Sequence, residues 1–337
     1  MTLLSVEGVS KRFSKPVGAV GRLLDRITGE NSAATVHALT GIDLTVDKGE
    51  VLGLVGESGC GKSTLGRIVS GIYTPSDGRV TLAGKAVARS SGGNVQKLTT
   101  AVQMIHQDPF ASLDPRMKVG ETISEGPRLH GLWSAAESGD RVRALLEQVG
   151  LEGAYANRLP HQFSGGQRQR IAIARALAME PDLLVLDEAV ASLDVSIQAQ
   201  VLNLFLDLRK RLDLTAVFIS HDLSVVRHVC DRVAIMYLGR VVELATAEDL
   251  YAAPAHPYTK ALFASVPTLG TGRAAFQPIK GEIPSPLNPP KGCAFHPRCP
   301  FAGPRCKTEV PALKPGDRGQ VACHLNDGGT GAEEIAA

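Results

Sequence analysis

Alternating and continuous apolar runs divide the chain into short elements. Residues 3–9, 42–46 and 51–55 read as β-strands, the last two joined by the turn Asp47-Lys48-Gly49-Glu50. Helices are predicted over 62–71, 140–149 and 167–179, each stopping at a turn residue. Leu183-Leu184-Val185-Leu186 is wholly apolar, as expected of a parallel strand covered on both faces. A second such strand is predicted over 215–219. Between the two, residues 197–212 place Val201, Phe205, Leu208 and Leu212 at helical spacing, the pattern of a crossover helix. Strand, helix and strand in this order predict an α/β layer fold around a mostly parallel sheet. Residues 14–35, with Pro16 and Gly29-Glu30-Asn31-Ser32, interrupt the pattern as an insertion or long loop.

The pattern changes near residue 254. Thirteen of the 20 prolines lie between 254 and 315, which excludes long helices there and marks a separate, loop-rich C-terminal unit. The final Gly-Gly-Thr-Gly-Ala-Glu-Glu-Ile-Ala-Ala reads as a frayed tail. A length of 337 residues suits one large domain with an appendage, or two domains. Lys and Arg number 36 against 34 Asp and Glu, so charge supplies no reason to expect nucleic acid as a partner. Nine Phe, five Tyr and one Trp are too few and too scattered for a base-stacking platform. Every apolar run is broken well before the roughly 18 to 20 residues of a membrane span. The opening Met-Thr-Leu-Leu-Ser-Val-Glu-Gly has no signal-peptide pattern, and a cytoplasmic location is expected.

Candidate chemistry begins with Gly56-Glu57-Ser58-Gly59-Cys60-Gly61-Lys62-Ser63-Thr64, which fits G-x-x-x-x-G-K-S/T between a predicted strand and a predicted helix. Glycines let successive N–H groups turn toward phosphate oxygens, and the helix N-terminus adds its positive end. Lys62 would bridge the β- and γ-phosphates and Ser63 would ligate Mg²⁺. A ligand-free Gly-rich turn is the bland alternative, disfavoured by four fixed positions with correct flanks. The strand at 183–186 ends in Asp187-Glu188, placing one carboxylate to hold Mg²⁺ through water and the next to polarise an attacking water. Alone, an apolar run ending in Asp-Glu is common; paired with the phosphate loop it gains weight.

Between these pieces lies Phe163-Ser164-Gly165-Gly166-Gln167, and here the sequence resembles the ATP-binding cassette ATPases, whose hallmark is LSGGQ. A Ser-Gly-Gly-Gln run opening a helix is itself an anion site. The resemblance implies that Ser164, Gly165, Gly166, Gln167 and Asp194 act in trans on the nucleotide of a second cassette, two cassettes clamping two ATP molecules head to tail. Gln107 resembles the glutamine that senses Mg²⁺ and water, His221 the γ-phosphate histidine, and Ala191-Ser192-Leu193-Asp194 the loop crossing the dimer interface. Glu188, His221, Gln107 and Lys62 would be the catalytic set, with Mg²⁺ on Ser63, Gln107 and Asp187. Phe13 is the expected adenine-stacking residue, with Val36 or His37 as alternatives if the insertion displaces it.

The implied fold is a P-loop NTPase of cassette type over 1–253. It has a mostly parallel core sheet, an antiparallel β subdomain and a helical subdomain at about 108–180. A Pro/Cys-rich, loop-dominated extension would follow over 254–325, and a disordered tail over 326–337. Ala255-His256-Pro257-Tyr258-Thr259-Lys260 and Gly281-Glu282-Ile283-Pro284-Ser285-Pro286 resemble the extension of ATPases from the oligopeptide, dipeptide and nickel importers. That group implies an ATP-hydrolysing subunit on the cytoplasmic face of the plasma (inner) membrane. It would work with a second cassette, two permeases and, indirectly, an extracytoplasmic substrate-binding protein. Nucleic-acid-handling relatives generally carry two cassettes or a long coiled coil, and neither pattern occurs here.

Cys293, Cys299, Cys306 and Cys323 follow C-x5-C-x6-C-x16-C in the Pro-rich segment. A cytoplasmic location disfavours disulfides. By resemblance to similar tails a [4Fe–4S] cluster is expected. Tetrahedral Zn²⁺, with His296 or His324 replacing one ligand, and unmetallated cysteines are the alternatives, and a redox or metal sensor gating transport is compatible with any of them. Cys230 reads as a small buried apolar residue.

Overall fold

A computed structural model describes residues 1–14, 35–92, 94–108, 112–265, 279 and 281–327. Nearly all of the insertion read at 14–35, and the tail from 328, lie outside them. Among the described residues the strands are β1 (Thr2–Ser14), β2 (Thr35–Asp47), β3 (Val51–Val55), β4 (Asp77–Leu82), β5 (Lys85–Ala86), β6 (Ala88–Ser91), β7 (Asn94–Lys97), β8 (Val102–Ile105), β9 (Leu183–Asp187), β10 (Thr215–Ile219), β11 (Arg232–Tyr237), β12 (Arg240–Thr246), β13 (Lys314–Gly316) and β14 (Gly319–Val321). The main sheet runs β13-β14-β12-β11-β3-β10-β9-β8, and an antiparallel sheet runs β2-β1-β4-β5. From β11 through β3, β10 and β9 to β8 every neighbouring pair is parallel, whereas β12, β14 and β13 add antiparallel.

Strands β3, β9 and β10 are buried at every position. Their side chains alternate between two apolar clusters. Val51, Val55, Leu184, Leu186, Ala216 and Phe218 enter one, while Leu52, Leu54, Leu183, Val185, Val217 and Ile219 enter the other. A sheet covered on both faces is what a continuous apolar run requires, each buried Val, Leu, Ile or Phe side chain contributing about 1.5–3 kcal/mol by leaving water.

One face carries α1 (Lys62–Val69). The other is met by α2 (Val119–Leu129), α3 (Ala135–Gln148), α4 (Gly165–Leu177) and α5 (Val195–Leu212). Val119, Ile123, Val142, Leu146 and Ile171 pack into the same cluster as the sheet's Leu184 and Phe218. Helix α2 and the β11–β12 hairpin have no counterpart in the sequence reading. The hairpin turns at Leu238-Gly239, both left-handed at φ 43° and 76°, a two-residue turn without the usual Asn or Asp.

The C-terminal residues do not pack apart. Glu243 on β12, 4% exposed, accepts the N–H groups of Ala255 at 2.7 Å and His256 at 3.0 Å, fastening the chain as it leaves the sheet. Tyr258 and Phe295 are buried in the main cluster, and β14 pairs with β12. A Pro-rich composition rules out long helices but not short extended segments, which find their hydrogen bonds on the β12 edge.

His256 is 1% exposed, and its Nδ1 accepts the Tyr258 N–H at 3.0 Å. Burial holds its pKa down at about 4. The unfolded chain therefore takes up a proton near pH 6.5 that the folded chain refuses until about 4. Stability is complete above 6.5 and falls between those limits, by on the order of 3 kcal/mol. Urea unfolding at pH 7.0 and 4.5 should show this loss in the wild-type chain and a smaller one in His256→Asn. An equal loss in both would remove His256 as its source.

Candidate active site

Four parallel strands end side by side at one edge of the sheet, and each delivers a polar group there. The loop after β3 is Gly56–Gly61, and α1 begins at Lys62. Gly61 has φ 108°, and a Cβ there would stand 2.6 Å from the Ala38 carbonyl oxygen, so only glycine lets the loop pass this close to β2. Lys62, 5% exposed, donates from Nζ to the carbonyl oxygens of Gly56 at 2.7 Å and Glu57 at 3.1 Å. Cys60 is buried beside it, its Sγ 3.8 Å from Lys62 Nζ, and burial raises the thiol pKa. It is packed inside the loop, away from solvent.

Ser63 Oγ donates to Asp187 Oδ1 at 2.8 Å. Burial raises the Asp187 pKa, opposed by the Ser63 hydrogen bond and by Arg67. A hydroxyl and a carboxylate meeting at one point form an oxygen donor pair suited to a hard cation such as Mg²⁺. Glu188 follows with φ 49°, unusual for a non-glycine residue, and its N–H donates to the Ile219 carbonyl at 3.0 Å. Its carboxylate lies 3.6 Å from His221 Nδ1, beyond the end of β10. At the end of β8, the Gln107 carbonyl accepts from Ser192 Oγ at 3.3 Å, tying together two loops predicted separately.

Ser164 caps α4, accepting the Gln167 N–H at 3.3 Å while Gln167 Oε1 accepts the Ser164 N–H at 3.0 Å. This reciprocal cap fixes how Ser164-Gly165-Gly166-Gln167 opens the helix. Phe163, where the hallmark has Leu, is 4% exposed and packs edge-on against Tyr155 at 5.6 Å, so it is a core residue. Asp194 is the exposed residue preceding α5, and Val195 beside it is 84% exposed.

Phe13 lies opposite Val36 in the β1–β2 ladder, with Arg12 opposite His37, so the ladder closes directly across the insertion. The Phe13 ring is 38% exposed and meets Tyr73 edge-on at 5.7 Å, with Lys11 Nζ 5.2 Å from its centroid. Tyr73 was not foreseen from sequence. Nor were two contacts to Glu57 of the phosphate loop, from the Tyr258 hydroxyl and the Arg298 guanidinium. Those partners lie 201 and 241 residues away in the chain, beyond any motif.

The expectation of a metal at the four cysteines is not supported among the described residues. Among the described residues no group of three or more His, Cys, Asp or Glu could hold a metal ion. Burial raises the pKa of Cys293, Cys299 and Cys323, the last to about 11, and the neighbouring cysteines add to the rise. Of the alternative ligands, His296 Nδ1 meets the Cys293 carbonyl at 2.9 Å, and His324 Nε2 the Glu309 carbonyl at 3.0 Å. Asp327 ties the segment by pairing with Arg305 at 2.9 Å and Lys314 at 2.8 Å. The [4Fe–4S] and zinc readings have no support in this arrangement.

The family model described as ABC transporter matches residues 39–191, and the one described as oligopeptide/dipeptide transporter, C-terminal region, matches 242–306. The chain is 47% identical to the oligopeptide transport ATP-binding protein AppF of Bacillus subtilis, covering 96% of this chain and 97% of that protein. It is 49% identical to the di/tripeptide transport ATP-binding protein DppF of Pseudomonas aeruginosa, covering 86% and 90%. Among solved structures, cbiO1 of Clostridium perfringens, part of the ABC transporter complex cbiONQ, matches with TM-score 0.59 at 29% identity, over 74% of this chain and 91% of that one. The ATP-binding cassette MJ0796, a dimer in a post-hydrolysis state with ADP and Pi, matches with TM-score 0.58 at 25% identity, over 73% and 99%.

Proposed function

As the chain belongs to the ATP-binding subunits of ABC transporters, in their oligopeptide/dipeptide branch, we propose that it hydrolyses ATP to drive peptide import. The observation that carries this reading is the convergence of Lys62, Ser63, Asp187, Glu188 and His221 at the ends of adjacent parallel strands.

In this reading the loop Gly56–Thr64 cradles the phosphates, and Lys62 exchanges its carbonyl partners for phosphate oxygens. Ser63, Asp187 and Gln107 would hold Mg²⁺, which supplies charge neutralisation on the triphosphate when bound. Glu188 orients and polarises water for in-line attack, His221 contacts the γ-phosphate, and Phe13 stacks on adenine. ATPases of this family act as dimers with membrane permeases. Here Ser164, Gly165, Gly166, Gln167 and Asp194 would complete the site of a second cassette, and the exposed Val195 suits that contact. The cassette would span 1–253 and the extension 254–325. An external binding protein would deliver peptide to the permeases.

Among the described residues no helix is long and apolar enough to cross a membrane. Attachment at the inner face of the membrane would therefore run through the permeases. A groove of about 830 Å³ between Gln103 and His106 on one side and Thr122, Glu125 and His130 on the other is the surface we assign to them. The test is Mg²⁺-dependent phosphate release by the purified chain, together with its recovery in membranes on co-expression with a peptide permease pair. Absence of hydrolysis, or a chain that stays off the membranes, would overturn the reading.

A further inference from the structure

The C-terminal region grips the phosphate loop at one residue. Arg298 Nη1 donates to Glu57 Oε2 at 2.6 Å, and Nη2 to Oε1 at 3.0 Å, a two-point pair. The Arg298 side chain is 3% exposed and that of Glu57 22%. Tyr258, fully buried, accepts the Glu57 N–H on its hydroxyl at 2.9 Å. Its ring is fixed by Tyr237 at 4.7 Å and Phe295 at 5.4 Å. Arg298 also reaches the Tyr237 hydroxyl at 3.4 Å, and a Cβ at Gly281 would stand 3.4 Å from its Cγ. Pro286, between Tyr258 and Arg298 in the chain, is held to β2, where the His37 N–H donates to the Pro286 carbonyl at 2.9 Å.

Glu57 occupies one of the free positions of the phosphate-loop motif, and an acid there is costly. A triphosphate brings several negative charges to the loop, and an unpaired carboxylate among its N–H groups would repel them. Arg298 supplies the compensating charge from outside the cassette motifs. Its second hydrogen bond and the Tyr258 hydroxyl fix both the side chain and the backbone of Glu57. Resting on the reading of Gly56–Thr64 as an ATP site, we propose that Arg298 and Tyr258 are positioning residues for the nucleotide. The C-terminal region neutralises and immobilises Glu57 so that the loop accepts phosphate, and it is thereby a working part of the ATP site.

The test is Mg²⁺·AMP-PNP binding by calorimetry, with KM and kcat for ATP, in Arg298→Ala, Glu57→Gln and the double variant. Removing one partner of a buried pair leaves the other charge uncompensated, so Arg298→Ala should bind about tenfold or more weakly. KM should rise in proportion while kcat stays within about twofold, as for lost uniform binding. The double variant should recover affinity to within about threefold of wild type, because the repelling carboxylate is gone. Wild-type affinity in Arg298→Ala, or a double variant as weak as Arg298→Ala, would overturn the proposal. If Arg298→Ala does not fold, Arg298→Lys and Tyr258→Phe decide it. Each keeps charge balance but loses one hold on Glu57, and affinity unchanged in both would be the contrary result. A wild-type chain that fails to bind AMP-PNP would instead overturn the nucleotide reading beneath it.

Discussion

Glu188→Gln should bind ATP as tightly as the wild-type chain and turn it over at least about a hundredfold more slowly, the scale of losing a positioned general base. The geometry favours this separation. Lys62 and Ser63, the residues proposed to face the phosphates, hydrogen-bond to Gly56, Glu57 and Asp187 and not to Glu188, so nucleotide affinity is expected not to depend on Glu188. Its backbone is held in a left-handed conformation by the hydrogen bond to the Ile219 carbonyl, and His221 stands 3.6 Å from its carboxylate. Glutamine keeps the shape and the ability to accept a hydrogen bond from water, but it cannot take a proton. Phosphate release at saturating Mg²⁺·ATP, set beside equilibrium nucleotide binding, reads both quantities. Hydrolysis undiminished in Glu188→Gln would reject the role; weakened binding would mean that the carboxylate shapes the phosphate site itself.

Gly166→Ala should lower hydrolysis by about a hundredfold while leaving the variant's own nucleotide affinity within about twofold, as expected when a reacting group is misplaced by about 1 Å. A Cβ at 166 would lie 2.3 Å from Ile197 Cγ2, a branched methyl with no freedom to swing away. Helix α4 must then retreat from α5, carrying Ser164 and Gln167 with it. The phosphate loop of the same chain stands on β3 and α1 and is untouched. The defect should therefore appear only where the Ser-Gly-Gly-Gln run meets a partner's nucleotide: in Mg²⁺·ATP-dependent dimer formation, measured by size-exclusion chromatography in the Glu188→Gln background. Ile197→Ala deletes the obstructing methyl, and the double variant should regain dimer and activity. If Gly166→Ala hydrolyses ATP normally, the assignment of this helix start to a second cassette fails.

Much of the candidate site was legible in the sequence because it is built from local signals. The run 51–55 is continuous and apolar, so a buried parallel strand was readable. The glycines behind it mark a loop needing unusual backbone angles, and the helix after Lys62 follows from its pattern. The same holds for 183–186 and 215–219, whose predicted bounds lie within a residue of β9 and β10. Helix α2 escaped notice because its apolar spacing is broken by Gly120, Gly126 and Pro127, and tertiary packing of Val119 and Ile123 overrides a poor helical propensity. The edge strands β13 and β14 are three residues each, and nothing in Lys314–Val321 announces pairing with β12.

By itself the sequence determined the phosphate loop, the Asp187-Glu188 pair, the Ser-Gly-Gly-Gln helix start and the presence of a Pro-rich extension. Each is a matter of residue type at fixed short spacing, where covalent geometry limits what the backbone can do. Only the tertiary structure decided that Phe13 lies opposite Val36 in the β1–β2 ladder, and that one ring nitrogen each of His296 and His324 meets a backbone carbonyl. It also decided that the extension closes on Glu57. Those outcomes depend on groups up to 241 residues apart meeting at one point. Packing and charge compensation select such meetings in the folded chain, and they leave no periodicity or spacing along the sequence.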